Sequence, residues 1–530
     1  MEDSHGDPLP DGGRAARRCT RPGRLRQRRH VTDPAASGGG GKTLVIDTSF
    51  DLKTADPGRT YEPTGLIVGK AVYETLLTFD GADVTKPVPA LAESYELSED
   101  GKTLTLKLKQ GATFADGTPI TADDVVFSLT RVRDMKGTPS FLLDGVEVAK
   151  TDDTTITLTS KAANPALPFI LPNPALGILN SKLAKQNGAT ADAQDKAEQY
   201  LNANSAGSGP YTIESFNVSS QVTLKANPKY YGTKPAYDKV VIRNVEAATQ
   251  KLNVQRGDSQ VALNLSGDQV TGMPATLQVK KTASANVIFL LANQDSAISK
   301  TTPNAKFVEA VRKGVDYAGL LELAGEGSTQ APGVIPSQIL GALPADQGAK
   351  RDVEGAKAAL AASGLSNPTV KLEYPSELTV NGLSFQPLAE RIQANLKEVG
   401  ITVDLQPAPV TTALDNYRNG KEEMGLWYWG PDYPDPSDYL AFLPGKTVGL
   451  RAGWKEGTAK EIEEAGAKAA ETIGDDARKT AYADVQTKLN ASGPFIPLIQ
   501  PSQNIVTAAS VTGLEYHPVW TVDLADLGAK

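Results

Sequence analysis

Hydrophobic and polar positions repeat along this chain with two periods, which predicts both strands and helices. In residues 104–109, leucines alternate with threonine and lysine, a pattern typical of a strand with one buried face. Together with the run that begins at Pro89, and with residues 99–102 as the turn, this segment predicts a β-hairpin. Residues 121–133 have helical spacing, with Thr121 as the N-cap and Asp124 at the acidic position of a capping box.

The same two periods extend to most of the chain. Helices are predicted over residues 66–77, 121–133, 189–202, 305–318, 352–363, 385–399, 458–472 and 475–491. Strands are predicted over residues 43–48, 154–159, 211–216, 222–226, 240–245, 287–292, 370–374, 401–406, 425–429 and 495–500, besides the hairpin of 89–111. Helices and strands alternate from residue 304 onward, which indicates an α/β fold.

Residues 424–442, M-G-L-W-Y-W-G-P-D-Y-P-D-P-S-D-Y-L-A-F, follow neither period beyond a short strand. The strand breaks at residues 430–431, because proline removes a donor and fixes φ. Asp432, Asp435 and Asp438 then stand among several tryptophans and tyrosines. Aromatic rings beside a carboxylate suit an amphipathic cationic ligand, since the rings attract cations and the acid pairs with an amine. The alternative is a core strand that runs into a proline-rich turn with capping aspartates.

Composition excludes several classes of function. A length of 530 residues with 40% hydrophobic content predicts two or three domains, and a net charge of -8 argues against a nucleic-acid binder. The single cysteine, Cys19, excludes an internal disulfide framework and a thiolate metal cluster. Of the three histidines, only His517 follows the N-terminal segment, so no multi-histidine metal site and no cofactor are expected. We interpret His517 as an ordinary loop residue.

The N-terminal segment lacks the features of an export signal. Residues 1–33 are rich in arginine and contain no apolar core, and the sequence around Cys19 lacks the small residues that precede a lipidated cysteine. We expect that this segment stands in place of a natural export signal, and that residues 1–41 form a disordered tail and tether. No run of 18 apolar residues is present, so no membrane-spanning helix is predicted.

Several blocks, in order, carry a resemblance to a known family. The blocks are A-D-P (55–57), V-Y-E-T-L-L (72–77), P-A-L-A-E-S-Y-E-L-S-E-D-G-K-T-L-T-L-K-L-K-Q-G-A-T-F-A-D-G-T-P-I-T-A-D-D-V-V-F-S (89–128), S-G-P-Y (208–211), N-P-K-Y-Y-G-T-K-P (227–235), V-R-K-G-V-D-Y-A (311–318), A-K-A-A-L-A-A-S-G-L (356–365) and W-G-P-D-Y-P-D-P (429–436). The chain resembles, over about residues 43–530, the family 5 extracytoplasmic solute-binding proteins of ABC importers, the dipeptide and oligopeptide-binding group.

This resemblance implies a two-lobed α/β clamp, of the type II, cluster C class of periplasmic binding proteins, with an extra domain in the first lobe. The ligand is enclosed between the lobes. Lobe 1 would comprise residues 42–75, 205–288 and 492–530, the extra domain residues 76–204, and lobe 2 residues 289–491.

The resemblance also implies a ligand site. Asp432 matches the family aspartate that pairs with the α-ammonium of the ligand, and residues 429–431 match the adjacent segment that contacts the peptide. The full set of ligand-binding candidates is Asp432, Trp429, Gly430, Pro431, Tyr433, Tyr61, Glu62, Pro63, Trp427 and Phe141. Pro431 stands where a donor-bearing residue is common, so one hydrogen bond to a peptide backbone is expected to be missing.

The function implied is the binding subunit of an ABC importer. It would capture di- or oligopeptides outside the cytoplasmic membrane, as a monomer that is lipid-anchored in its natural form, and deliver them to the permease by lobe closure. No catalytic residue is expected. One alternative is a same-fold binder of an oligosaccharide or other peptide-like molecule, with Trp427 and Trp429 as platforms. Another is a hydrolase that uses Asp432 and Asp435 as paired carboxylates.

Overall fold

The structure, a computed structural model, describes residues 42–530. The predicted tail and tether lie outside these residues. The α-helices of the described range are α1 Pro63–Val72, α2 Ala122–Asp134, α3 Leu167–Ile170, α4 Ser181–Gln186, α5 Glu198–Ala203, α6 Ala247–Arg256, α7 Gly267–Val270, α8 Ala305–Gly314, α9 Tyr317–Ala324, α10 Val353–Ala362, α11 Phe385–Val399, α12 Val410–Arg418, α13 Thr447–Arg451, α14 Lys460–Glu471 and α15 Asp475–Ser492. Short 3-10 segments cover Thr138–Leu143, Pro174–Leu176, Ala345–Gln347 and Pro436–Phe442.

The strands of the same range form three large sheets and three two-stranded ribbons. They are β1 Thr43–Thr48, β2 Leu77–Asp80, β3 Asp83–Pro89, β4 Ala92–Leu97, β5 Thr103–Leu108, β6 Val146–Lys150, β7 Thr155–Ser160, β8 Tyr211–Asn217, β9 Gln221–Ala226, β10 Lys239–Asn244, β11 Val261–Ala262, β12 Leu277–Ala283, β13 Val287–Ala292, β14 Thr329–Gln330, β15 Thr369–Pro375, β16 Thr379–Val380, β17 Leu383–Ser384, β18 Thr402–Ala408, β19 Met424–Trp429, β20 Phe495–Gln500, β21 Ser502–Ala508, β22 Val511–Thr512 and β23 Gly528–Ala529.

A seven-stranded sheet, ordered β12-β21-β11-β1-β10-β9-β8, draws its strands from three distant parts of the chain. Its central strand, β1, pairs in parallel with β10 and β11, while the outer strands pair antiparallel. Leu44 and Ile46 of β1 are buried in the same core as Ile67 and Val68 of α1. Contacts between residues far apart in sequence therefore hold this sheet together.

A six-stranded sheet, ordered β14-β20-β13-β19-β15-β18, is covered on both faces. Ile288 and Leu290 of β13 belong to one core, whereas Phe289 and Leu291 belong to a second core on the opposite face. Because successive side chains of a strand point to opposite faces, a strand buried on both sides reads as a continuous apolar run. This burial explains the unbroken sequence V-I-F-L-L-A of β13.

A four-stranded antiparallel sheet, ordered β4-β5-β7-β6, packs against α2. Leu104, Leu106 and Leu108 of β5 point into its core, which confirms the predicted hairpin and its buried face. The predicted capping box of α2 is also formed, because Thr121 and Asp124 each accept a hydrogen bond from the backbone N–H of the other.

Two short crossings connect the seven-stranded and six-stranded sheets. Residues 284–286 lead from β12 to β13, and Pro501 leads from β20 to β21. The Ser284 N–H donates to the Pro501 carbonyl at 2.9 Å, and the Gln500 amide donates to the Ser284 carbonyl at 3.0 Å. The two crossings therefore lie side by side.

Two predicted helices have different bounds in the structure. The helix predicted over 66–77 ends at Val72, because Leu76 and Leu77 turn away to pack in the core of the four-stranded sheet. The helix predicted over 305–318 is two helices, α8 and α9. The break lies at Asp316, whose side chain accepts from the Gly319 N–H as the N-cap of α9.

The prediction of a helix over 189–202 is wrong for most of its length, since only Glu198–Ala203 is helical. The Asp195 carboxylate accepts hydrogen bonds from the backbone N–H groups of Thr190 and Ala197, which holds the preceding residues in a turn. Side-chain hydrogen bonds to nearby backbone compete with helix formation. The helices α6 and α12 and the strands β12 and β21 were not predicted as elements.

The same Asp195 belongs to a buried ion-pair network. Arg131 of α2, fully buried, donates to Asp56 through both terminal nitrogens at 2.7 and 2.6 Å and to Asp195 at 2.7 and 2.9 Å. The two carboxylates are also buried. Arg59, which is partly exposed, also pairs with Asp56 at 3.3 Å and with Asp195 at 3.0 Å. Loss of Arg131 would therefore leave two buried carboxylates with Arg59 as their one cationic partner among the described residues.

Replacement of Arg131 by methionine should destabilise the fold strongly. We expect a loss of about 3–5 kcal/mol in the free energy of unfolding, because two buried carboxylates lose four hydrogen bonds and keep Arg59 alone as a cationic partner. Urea unfolding followed by circular dichroism measures the change. The control is Lys357→Ala, which breaks an ion pair between exposed Lys357 and Glu354 and should change stability by less than about 0.5 kcal/mol. Equal stability of R131M and the wild type would contradict this assignment.

A second buried acid lies beneath β19. The indole Nε1 of Trp427 donates to both carboxylate oxygens of Glu422, at 2.9 and 2.8 Å, and the Trp427 ring stacks on Tyr417 at 4.5 Å. Burial raises the pKa of Glu422 from 4.5 to about 9. The folded protein therefore retains this proton at neutral pH, whereas the unfolded chain releases it. Glu422 thus stabilises the fold fully below about pH 4.5, and this contribution is lost as the pH rises toward about 9.

Replacement of Glu422 by glutamine should stabilise the protein at neutral and alkaline pH. Glutamine has the shape of the protonated acid and cannot ionise. We therefore expect the free energy of unfolding to rise by on the order of 1–3 kcal/mol at pH 8 and to change little at pH 4.5. Thermal unfolding across pH 4.5–9 measures it, with Glu354→Gln on the surface as the control. A gain that does not depend on pH would contradict the raised pKa.

Candidate ligand-binding cleft

A cavity of about 910 Å³ lies between the seven-stranded and six-stranded sheets. Both sheets and the loops after their strands contribute to its walls. The lining residues on the side of the seven-stranded sheet include Thr48, Ser49, Phe50, Asp51, Tyr61, Pro63, Thr64, Glu246, Asn264, Ser266, Gln269 and Gln503, and those on the side of the six-stranded sheet include Glu377, Leu378, Thr379, Val380, Asn381, Gly382, Val410, Tyr428, Gly430, Pro431 and Asp432. Asn173 and Asn286 also line it.

Asp432 lies in this cavity, three residues after the end of β19, and hydrogen bonds reach it from across the cleft. The Tyr61 hydroxyl donates to the Asp432 carboxylate at 2.5 Å, and the Asn173 amide donates to the Asp432 carbonyl at 3.0 Å. Behind it, the Asp432 N–H donates to the Asp438 carboxylate at 2.9 Å. Both the side chain and the backbone of Asp432 are therefore fixed in position.

No lysine, arginine or histidine of the described residues lines the cavity beside Asp432. Burial raises the pKa of Asp432, and hydrogen bonds with Tyr61 and Asp438 and the charge of Arg451 offset part of this rise. Burial and the nearby charge of Asp432 raise the pKa of Asp438 well above its usual range. Two carboxyl groups so close together gain most from a cation, because an opposite charge favours the ionised form of both. The arrangement suits an ammonium group.

Gly430 and Pro431 also line the cavity, and Gly430 lies close to the Asn286 side chain. A side chain at Gly430 would collide with the amide oxygen of Asn286 in the first crossing. Pro431 has no N–H to offer a ligand. The neighbouring Tyr428, which sequence analysis did not select, faces the cavity as well.

The predicted residues of the segment 61–63 have separate roles. Tyr61 and Pro63 line the cavity, and Pro63 is the first residue of α1. Glu62 is buried at the N-cap position of α1, forms an ion pair with Lys53 and does not line the cavity. Phe141 packs edge-on against the Tyr61 ring at 5.5 Å and is 40% exposed, outside the cavity wall.

The remaining aromatic candidates lie behind the cleft. Trp427 is in the core with Glu422, so the structure gives it no access to a ligand. Trp429 packs against Phe442 and is partly buried. Tyr433 packs against the core of the four-stranded sheet. None of these three rings is part of the cavity wall within residues 42–530, so the predicted aromatic platforms are not assembled there.

The hydrolase alternative required Asp435 to pair with Asp432, and the structure does not place the two carboxylates together. The two carboxylate oxygens of Asp435 each accept from Arg478 at 2.7 Å, and the residue is fully buried. The carboxylate next to Asp432 is instead Asp438. His517 is buried and stacked on Trp520 at 3.4 Å, and burial lowers its pKa well below the usual range, so it is a neutral packing residue.

The structure also brings a hairpin to the cleft that sequence analysis passed over. It consists of β16 and β17 joined by Asn381-Gly382, both in the left-handed region with φ of 53° and 81°. An Asn-Gly pair is a strong hairpin signal and was available in the sequence. A side chain at Gly382 would lie 2.7 Å from the backbone of Ser266, so the hairpin tip touches the opposite wall of the cleft.

Other site types are not seen in the part of the chain that the structure describes. No group of three or more potential metal-ligating side chains is found among residues 42–530. Of the helices in that range, none is both long and apolar enough to cross a membrane.

Comparisons with known proteins agree with this geometry. The probable D,D-dipeptide-binding periplasmic protein DdpA of Escherichia coli is 28% identical over 488 residues, which span 90% of this chain and 92% of that protein. Di/tripeptide-binding protein 2 of Pseudomonas aeruginosa is 26% identical, over 91% and 94% of the two chains. The crystal structure of the ABC transporter substrate-binding protein CtaP from Listeria monocytogenes superimposes with a TM-score of 0.81 at 20% identity, over 92% and 99%.

The shared architecture confirms the predicted two-lobed α/β clamp. The family model for bacterial extracellular solute-binding proteins, family 5 (middle region), matches residues 86–449, which is more than half of the chain. This family binds substrates and is not defined by catalysis. The chain therefore belongs to family 5 of the bacterial extracellular solute-binding proteins.

Proposed function

We propose that this protein is the substrate-binding subunit of an ABC importer that captures di- or oligopeptides outside the cytoplasmic membrane. The observation that carries the proposal is the position of Asp432, a partly buried carboxylate in a cavity between two sheets, hydrogen-bonded by Tyr61 from the opposite wall. A peptide amino group at this carboxylate makes a charge-assisted hydrogen bond. The relatives from Escherichia coli and Pseudomonas aeruginosa are named as a probable D,D-dipeptide-binding and a di/tripeptide-binding protein, which supports the same ligand class.

The size and polarity of the cavity support a short peptide. Small-molecule sites have volumes of about 300–1,000 Å³, and this one has about 910 Å³. The amide oxygen of Asn264 accepts from the Ser49 N–H, and that of Asn381 accepts from the Asn286 amide. The amide nitrogens of Asn264 and Asn381 are therefore the groups placed to donate to peptide C=O groups. The Asn381 amide nitrogen is buried without a hydrogen-bond partner among residues 42–530, so a ligand carbonyl can accept from it.

Closure of the cleft is part of the proposal. Lobe 1 comprises residues 42–75, 205–283 and 502–530, the extra domain residues 76–204, and lobe 2 residues 287–500. The expected bounds at 288/289 and 491/492 move to the crossings, because β13 and β20 both belong to the six-stranded sheet. The adjacent crossings at 284–286 and Pro501 support a hinge there, because rotation about two short segments separates the lobes without disturbing either core. The Tyr61–Asp432 hydrogen bond joins the two walls only when they are close.

The proposed partners follow from this role. A closed, loaded clamp docks on the transmembrane subunits of a permease and releases the peptide there. We propose that the protein acts as a single copy outside the cytoplasmic membrane, and that the natural form is lipid-anchored.

The oligosaccharide alternative has less support. It depends on stacking of sugar rings on Trp427 and Trp429, and neither ring faces the cavity. The exposed polar wall and the carboxylate favour a ligand with an amino group.

Replacement of Asp432 by asparagine should weaken peptide binding at least about tenfold, because the ammonium loses its counter-charge while the shape of the site is kept. Isothermal titration calorimetry with a panel of di- to tetrapeptides, each with and without an N-acetyl group, measures it. The panel should lose affinity on acetylation in the wild type.

The matched control for D432N is Asp153→Asn, which removes the same charge from a side chain that is 95% exposed and distant from the cleft. Its affinity should equal that of the wild type. Equal binding of acetylated and free peptides, unaffected by D432N, would refute the role of Asp432.

A further inference from the structure

The charged residues that line the cleft are all acidic. Among the residues of the described chain that form the cavity wall, four are carboxylates and none is lysine, arginine or histidine. The four are Asp51, Glu246, Glu377 and Asp432. They come from both walls, so negative charge faces the cavity from both sides rather than from one acidic edge.

The nearby cations lie outside the cavity wall. Lys53 forms an ion pair with Glu62 and has 74% of its side chain exposed to solvent, and exposed Arg418 lies near it. The guanidinium of Arg451 lies over the rings of Tyr417 and Trp429, at 4.8 and 5.4 Å from their centroids, and its charge offsets part of the rise in the pKa of Asp432. None of these three side chains lines the cavity, so none is placed to contact a ligand carboxylate there.

Helix N-termini are the other feature that attracts anions, and those of α1, α6, α7 and α12 reach the cavity wall. Glutamates occupy the N-cap positions of α1 and α6, Glu62 and Glu246, whereas the N-caps of α7 and α12 are Ser266 and Pro409. A carboxylate at the N-cap offsets the positive end of the helix dipole. A ligand carboxylate at the N-terminus of α6 would meet the like charge of Glu246, which lines the cavity.

We propose that the cleft selects peptides of net positive charge, with the amino group at Asp432 and further positive charge facing Asp51, Glu246 and Glu377. The ligands are peptides with a basic side chain or with a masked C-terminal carboxylate. This inference rests on the proposed function, since it specifies which peptides the same site takes. An ordinary zwitterionic peptide binds less tightly, because its carboxylate enters a negative cavity that offers no cation.

The test uses three peptides with the same backbone length and the full-length protein. They are Ala-Ala-Ala, its C-terminal amide and Ala-Lys-Ala amide, titrated by calorimetry at pH 7 in 50 and 500 mM NaCl. We expect an affinity gain of about tenfold for each added positive charge at low salt. The gain should shrink at 500 mM NaCl, because salt screens charges near solvent.

A double variant, Glu246→Gln with Glu377→Gln, connects the preference to these side chains. Both are exposed, and Glu246 makes no side-chain capping bond to α6, so the fold should be unaffected. In this variant, the ratio of the affinity for the tripeptide amide to the affinity for the tripeptide should fall by about tenfold. In Asp153→Asn, which removes one surface charge, this ratio of affinities should not change.

The possible results separate this inference from the proposed function. Equal or tighter binding of Ala-Ala-Ala than of its amide overturns the charge selectivity and leaves peptide capture standing. An amide preference that persists unchanged in the double variant also overturns it, because other groups then cause the preference. If none of the three peptides binds to the wild type, the proposed function fails, and the inference fails with it.

Discussion

The carboxylate of Asp432 is held between two walls of the molecule, and the arrangement of the cleft depends on it. Its oxygen accepts from Tyr61 on one side, while its carbonyl accepts from Asn173 and its N–H donates to Asp438. Partial burial of a charge costs free energy unless hydrogen bonds or an opposite charge compensate. The hydrogen bond from the Tyr61 hydroxyl offsets part of this cost for Asp432, and a ligand cation can offset the rest.

The surrounding structure fixes this carboxylate without neutralising it. The strand β19 is buried on both faces and ends at Gly430-Pro431, so the following residues leave the sheet at a defined point. Asp435, three residues on, is anchored to Arg478 in the core. The segment between these two fixed points holds Asp432 in the cavity, which is why a proline-rich turn rather than a flexible loop follows the strand.

The periodicity of the sequence predicted the elements whose buried faces follow directly from the hydrophobic pattern. The hairpin around β5, the strand β13 and the helix α11 followed from local pattern alone. Some failures come from local capping, as at Asp316, whose side chain begins a second helix, and others from contact with distant residues. Residues 189–197 have helical composition, but Asp195 is held by Arg131 of another segment. No local pattern reports such a partner.

The ligand site was accessible to sequence reasoning only in part. Asp432 and its neighbours were identified through the order of motifs, and the structure brings Tyr61, Pro63, Gly430, Pro431 and Asp432 to one cavity. Trp427 was selected because an aromatic residue looks the same in sequence whether it faces a ligand or a core. Trp427 is buried in a core beside Tyr417, and Glu422 accepts from its indole N–H. A sequence pattern reveals neither contact.

The proposed role requires that the cleft enclose a small molecule bearing an amino group. Native mass spectrometry of the full-length protein, purified gently from its own cells, is the decisive experiment. We expect an added mass whose accurate value fits a short, nitrogen-rich peptide, and loss of that mass in Asp432→Ala. An added mass that fits a sugar, or a peptide retained undiminished in Asp432→Ala, would contradict it.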